Sequence, residues 1–316
     1  MAVSLFFTSC EEDGGIYHYA LQNGSIALCD FTPCDRPMYA IAEENRLWVL
    51  LRECFNDHTS GLQEYAIPDS GMLTPVGAPI STKGIVACHL CRFHEKVYAA
   101  NYLSGSIFCS DGALGVHTGH GVHLRRQEAP HTHFIAPSPD RQFLLATDLG
   151  LDAVFVYDEF LNVHSVTHVP AGQGVRHLAY ADDGMTVFAA NELGSTVSMF
   201  TYYGGQLNLR QTIPTLFHEC ENMPAAIRVR GEYVYVSNRG DDSISCLHWD
   251  QSGMELCSVK PCGGCWPRDF EIVENTIFCT NEKSDTVTIL SVDGTKIRDT
   301  GERITMKAPI CVAVGR

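Results

Sequence analysis

Seven times along the chain, a short apolar run with strand-like alternation ends in a small or polar residue and passes through a brief loop into another alternating run. The five clearest copies read YAAN ending at Asn101, LATD at Asp148, FAAN at Asn191, YVSN at Asn238 and FCTN at Asn281. Two weaker copies precede them, FFTS ending at Ser9 and VLLR ending at Arg52. Successive end points lie 43, 49, 47, 43, 47 and 43 residues apart. A period of about 40–50 residues made only of short strands predicts a β-propeller. No helical period is sustained long enough to compete.

Within each unit the pattern predicts an inner strand (A), a turn, and a second strand (B) ending at the marker residue. A polar loop then leads to a third strand (C) and usually a weaker fourth. In the fifth unit these are residues 176–180, 185–191, 196–202 and 206–211, with Ala-Asp-Asp-Gly at 181–184 as the A–B hairpin turn. The last run, residues 309–314, has the character of an A strand with no B strand after it, whereas the chain begins with a B-like strand at residues 3–8. Pairing the last strand with the first unit removes the edges that an open ring would expose. The expectation is an all-β fold: one domain over residues 1–316, a seven-bladed propeller of four-stranded antiparallel blades, closed by the C-terminal strand.

Composition narrows the partners. With a formal net charge of −15, the chain lacks the basic footprint that nucleic acid or an anionic membrane surface requires. No run approaches the roughly 18–20 apolar residues of a membrane-spanning helix, and the first residues lack the charged start of a secretory signal. The 14 cysteines fall largely inside strand patterns, where free thiols serve as small buried hydrophobes, so a reduced, cytoplasmic protein is expected. Two C-x-x-C pairs occur. Cys88 and Cys91 stand three apart on a strand and point to opposite faces, while Cys262 and Cys265 suit either plain packing or a metal or redox knuckle. Nothing in the pattern asks for an obligate protein partner.

Strand A lines the channel and B runs antiparallel to it, so the start of A and the loop after B emerge on one rim. Counting back 15 residues from Asp148 and Asn191 gives His133 and Arg176, and counting back 13 from Asn281 gives Arg268. Just beyond the strand-B ends stand Glu192, Arg239 and Glu282. Two independent repeat positions therefore bring ionisable groups to one face. Arg176, Arg239 and Arg268, with His131, His133 and His177, form a cationic cluster in an otherwise acidic chain. Guanidiniums gathered at a channel mouth need a carboxylate or an anionic ligand to compensate them, and their planar fork suits carboxylate or phosphate. The competing reading is that these charges only bridge neighbouring blades.

At these residues the chain resembles the seven-bladed lactonase family, which includes propeller-type 6-phosphogluconolactonases and carboxy-cis,cis-muconate lactonizing enzymes. The matching stretches are PHTH (130–133), DLGLD (148–152), GQGVRH (172–177), NEL (191–193), SNRGDDSI (237–244) and WPRDF (266–270). Val175 departs from the proline usual in the fifth-unit motif. The resemblance implies a carboxylic ester hydrolase needing no metal or cofactor, acting on 6-phospho-D-glucono-1,5-lactone in the pentose phosphate route. The implied catalytic set is Glu192 as base, Arg176, His133 (or His131) and Arg239, with His131, His177 and Arg268 holding the anionic end of the substrate. Two alternatives stay open: a muconate-type cycloisomerase on a dicarboxylate, and a propeller that binds a ligand or protein without catalysis.

Overall fold

The computed structural model describes residues 2–315. They form seven four-stranded antiparallel sheets, and the one helical element among the described residues is a 3-10 turn at Glu282–Ser284. The innermost strands of blades 1 to 7 are Pro309–Gly315, Pro37–Glu43, Ala87–Phe93, Thr132–Pro137, Val175–Tyr180, Met223–Arg230 and Pro267–Val273. Each pairs with a strand B: Val3–Ser9, Arg46–Leu51, Lys96–Asn101, Leu144–Asp148, Thr186–Asn191, Tyr233–Arg239 and Thr276–Asn281. Blade 1 joins the two chain ends, with Leu5 opposite Val314 and Phe7 opposite Val312, as the unpaired terminal strands predict.

Closure is also visible in the packing. Seven apolar clusters fill the seven interfaces between adjacent blades, including blade 7 on blade 1 (Phe278, Val287, Leu5, Phe7) and blade 1 on blade 2 (Phe6, Ile16, Leu47, Val49). Burial of alternate side chains between blades, rather than across one central core, is the main stabilising term. Cys91 packs at the interface of blades 3 and 4, whereas Cys88, which joins the cluster of blades 2 and 3, turns its thiol to the Thr132 and His133 carbonyls of blade 4 at 3.8 and 3.6 Å. The bulge at Cys88 thus overrides the simple alternation that would set the two thiols on opposite faces.

The marker residues have a physical role. Fully buried Asn101, Asn191, Asn238 and Asn281 each donate from Nδ2 to a Ser or Thr hydroxyl on the following strand C, at 2.7–3.2 Å. Asp148 does the same work as an acceptor, taking the backbone N–H of His131 at 2.8 Å and of Leu151 at 3.1 Å. A buried polar group must find such partners, so these side chains fix where strand B stops and strand C starts. The second unit corrects the reading of VLLR. Strand B ends at Leu51, so Leu51 occupies the marker position and Arg52 the next one.

Candidate active site

One irregularity repeats around the ring. In every blade, strand A carries a β-bulge near its start, leaving unpaired Ile310, Met38, Cys88, His133, Arg176, Arg268 and, in blade 6, Ala225 with Ala226. A bulge bends the strand and re-aims the side chain it frees. Here those side chains turn to the axis, where six of them line a narrow throat. Three are basic, His133, Arg176 and Arg268, the same three that counting back from the markers selects.

A second ring sits above the first. The residue after strand B donates its N–H to the residue before strand A: Cys10 to Ala308, Arg52 to Arg36, Tyr102 to Val86, Leu149 to His131, Glu192 to Gly174 and Glu282 to Trp266. These hydrogen bonds tie the two rings together at the rim. The residue before strand A takes a positive φ in five blades, including 56° at the β-branched Val86 and 66° at Trp266. L side chains rarely adopt that region, so Val86, which lines the cavity, marks local strain beside the site.

The rings enclose a cavity of about 260 Å³ lined by Met38, Arg52, Val86, Cys88, Tyr102, Leu103, Arg126, His133, Glu192, Arg239 and Arg268. A larger hollow of about 550 Å³ opens on the other face, against the A–B turns of blades 2 and 3. Its two arginines are already paired, Arg92 with Glu43 and Arg46 with Glu64. The smaller cavity is the better candidate because buried charged groups converge on it.

Glu192 is the centre of the cavity. Its side chain is 4% exposed, and one carboxylate meets three guanidiniums. Arg239 donates to Oε2 at 2.6 Å, Arg176 Nε stands 3.1 Å from the same oxygen, and Arg126 reaches Oε1. The Arg176 contact is an ion pair whose N–H is not aligned on the oxygen, leaving that buried Nε without a hydrogen-bond acceptor. Arg176 is anchored instead through Nη1 to the Ala225 carbonyl at 2.7 Å, on the next blade's bulge. Burial by itself would raise the Glu192 carboxyl, but Arg239, Arg176 and Arg126 outweigh it and hold it well below the ordinary carboxylate range. Burial, with Arg239 beside it, pushes Arg176 down to about 9, which leaves it charged at neutral pH.

Arg239 is fixed by the Met223 carbonyl at 3.2 Å and stands 5.7 Å from the Trp266 ring centroid. Arg268 pairs with Glu282 at 3.0 Å; burial works against its charge, but Glu282 prevails and raises it. His133 lines the cavity with a buried Nδ1 that has no partner, and burial with Arg176 holds the ring well below its ordinary value, hence neutral.

The other two histidines do not line the cavity. His131 stacks on Tyr102 at 4.6 Å, hydrogen-bonds the Tyr102 carbonyl at 3.1 Å and faces Glu128. His177 lies one layer deeper, in the throat, between His133 and His89 at centroid distances of 5.1 and 5.2 Å. Burial holds it neutral as well. The structure thus brings neither ring into the cavity lining: His131 is stacked on Tyr102, and His177 lies below the cavity in the throat.

Sequence reasoning missed two lining arginines. Arg52 occupies the repeat position of Glu192 and Arg239, and a one-residue shift of the second marker would have revealed it. Arg126 lies in the segment 117–131 between blades 3 and 4, outside any repeat position. That segment is tied down by Gln127, whose Nε2 donates to the Leu149 carbonyl at 2.9 Å, and from there Arg126 spans Tyr102 and Glu192. The Cys262 thiol turns to the Gly264 carbonyl at 3.3 Å, and the one group of three metal-ligating residues found among the described residues includes neither Cys262 nor Cys265.

Relatives and solved structures share this architecture. An uncharacterized protein of Staphylococcus epidermidis is 29% identical over 300 residues, covering 86% of each chain. One of Staphylococcus aureus is 29% identical over 252 residues, covering 72% of this chain and 73% of its own. Among solved structures, a Bacteroides fragilis protein provisionally assigned as a 6-phosphogluconolactonase superposes with a TM-score of 0.91 at 23% identity, over 100% of this chain and 98% of its own. The periplasmic gluconolactonase of Pseudomonas aeruginosa gives 0.89 at 23% identity, over 100% of this chain and 99% of its own. No described helix is long and apolar enough to cross a membrane. The sequence model of the lactonase family with a seven-bladed β-propeller matches residues 4–314, and the chain belongs to that family.

Proposed function

We propose that the protein hydrolyses the ester of a sugar δ-lactone bearing an anionic group, with 6-phospho-D-glucono-1,5-lactone as the leading substrate. The observation that carries this reading is the charge of the cavity lining: Arg52, Arg126, Arg239 and Arg268 against a single carboxylate, Glu192. Guanidiniums in excess of carboxylate in a confined pocket favour an anion bound through charge-assisted hydrogen bonds. A volume of about 260 Å³ suits one sugar-sized ligand.

In the proposed reaction a water adds to the lactone carbonyl, the oxyanion collapses, and the ring ester C–O bond breaks, with the ring oxygen taking up a proton. Arg239 faces the place where charge develops and stabilises the oxyanion, with the charge of Arg176 added from the throat below. Glu192 uses most of its acceptor capacity on arginines, and one Oε1 lone pair is left to take a proton from the water. So depressed a carboxylate is a weak base, sufficient because δ-lactones are already reactive and because the site positions water and carbonyl together. Neutral His133 directs the water or the leaving oxygen. Arg268 and Arg52 hold the phosphate, while His131 and His177 support Tyr102 and His133 from behind. None of these steps uses a metal or cofactor. The 14 free cysteines suit a reducing compartment, and we place the protein in the cytosol.

The test is lactone opening followed against the spontaneous rate, with phosphorylated and unphosphorylated gluconolactone and with carboxymuconate, before and after chelator treatment. A rate on the phosphorylated lactone well above background, surviving the chelator, is expected. Turnover of carboxymuconate alone would reassign the site to a dicarboxylate, and no acceleration of any of the three would leave a binding propeller.

A further inference from the structure

A second group of chemistry-bearing side chains lies on the same rim, outside the cavity. His218 and Cys220 come from the loop that leads into strand A of blade 6, and Asp241 from the turn after strand B of that blade. Each offers one ligand atom, and the three atoms lie within 4.8 Å of one another. His218 Nε2 stands 3.2 Å from Asp241 Oδ1, and the Cys220 thiol donates to that same oxygen at 3.9 Å. The carboxylate is thus a common partner of a ring nitrogen and a sulfur.

The backbone brings the two segments together. Gly240 has a φ of +107°, and a Cβ there would come within 2.4 Å of the Glu221 carbonyl oxygen. Only glycine lets the turn press this closely on the loop. Asp241 is held with its side chain 15% exposed, while that of His218 is 62% exposed and free to turn. Glu219 and Glu221 flank Cys220 in sequence and add negative charge to the loop.

We propose that His218, Cys220 and Asp241 form a binding site for zinc or a similar d-block divalent ion, with solvent completing the coordination. The donor set is one imidazole nitrogen, one thiolate sulfur and one carboxylate oxygen. Tetrahedral zinc takes these at about 2.0–2.3 Å, which sets ligand atoms roughly 3.3–3.6 Å apart. The nitrogen and oxygen already stand at about that spacing, and the exposed Cys220 sulfur is the atom that must close in. A sulfur and a nitrogen donor select against calcium and magnesium, which take oxygen ligands. On binding, the thiol gives up its proton to solvent and the sulfur becomes the anionic ligand. The site stands apart from the lactone chemistry. Arg239 lies two residues before Asp241 and binds the carbonyl of Met223, so a metal here would brace the loop and turn beside that arginine.

The proposal is tested on the full chain, freed of metal with chelator and titrated with Co²⁺, whose thiolate complexes carry an intense charge-transfer absorption. One equivalent producing that band is expected, with Zn²⁺ displacing it. Cys220→Ser should abolish the band while leaving the metal-free melting temperature unchanged. His218→Ala and Asp241→Asn should each weaken affinity by more than the roughly 10–100-fold lost when a mere supporting hydrogen bond is removed. Absence of the band at stoichiometric Co²⁺ would overturn the site, and so would an unchanged band and affinity in Cys220→Ser. Neither readout depends on lactone hydrolysis, so this proposal and the functional one stand or fall separately.

Discussion

Two arginine–carboxylate clusters share the axis of the ring, and they are built in opposite ways. At the upper rim, Glu192 is surrounded by Arg176, Arg239 and Arg126, with Arg52 beside them and Arg268 paired to Glu282: five guanidiniums against two carboxylates. Toward the opposite mouth, one Arg228 is gripped by Asp269 at 2.9 Å and Glu271 at 2.9 Å. Burial opposes the Arg228 charge, but Glu271 and Asp269 outweigh it and raise it further. The lower cluster is closed, because its cation has more counter-charge than it needs. The upper one has cations to spare; a cavity adjoins each, about 260 Å³ above and about 450 Å³ below. Strand A of blade 7 contributes to both, Arg268 above and Asp269 with Glu271 below, so the balance of charge, not the presence of arginine, separates a binding site from a structural lock.

The strongest way to break this contrast is to exchange its centres. Glu192→Gln should cost about 10²–10⁴ in lactone hydrolysis, with rate followed above the spontaneous background. Arg228→Met should keep activity within about twofold. It leaves Asp269 without its partner, at a cost of roughly 3–5 kcal/mol, which should lower the melting temperature by on the order of 5–10 °C. Activity lost equally in both variants would mean that the two clusters are not functionally distinct.

The layer between the clusters supplies the next effect. His89, His133 and His177 are buried and held below their ordinary value, His89 to about 3, chiefly by burial. In the folded chain they stay neutral, whereas in the unfolded chain they take up protons below about pH 6.5. The unfolded state then binds more protons, so stability should be level above pH 6.5 and fall below it, with a limiting slope of about 4 kcal/mol per pH unit for three sites. Glu192 adds nothing in that window: its depressed value gives stability that is present above about pH 4.3 and lost only as pH falls through the folded value. Urea midpoints at pH 7, 6 and 5 check this, and identical midpoints would refute it.

The smallest effect sharpens the role of the surplus cations. Arg52→Ala should raise KM for the phosphorylated lactone by about tenfold, the worth of one charge-assisted hydrogen bond, and leave KM for unphosphorylated gluconolactone unchanged. An equal rise for both would move Arg52 from the phosphate to the lactone ring.

Much of the upper cluster is legible in the sequence, and none of the lower one. Glu192 and Arg239 stand one place past a marker residue, and His133, Arg176 and Arg268 sit 13 or 15 residues before one, so the repeat alone brings them to one rim. Tyr102 holds the same repeat position, yet an aromatic residue there gave no sign of lining the cavity. Arg52 was hidden by reading the second marker one residue late. Arg126 was beyond reach, since its segment obeys no strand period.

Blade number, strand polarity and ring closure are therefore properties of the sequence itself, because side-chain alternation and repeat length are local and survive without knowledge of any partner. Which histidine faces the cavity, which arginines remain unpaired, and that Gly240 lets the blade 6 turn meet its loop were decided only in three dimensions. Those features depend on bulges, on an irregular segment crossing between blades, and on backbone contacts between residues about 20 apart, as at Glu221 and Gly240.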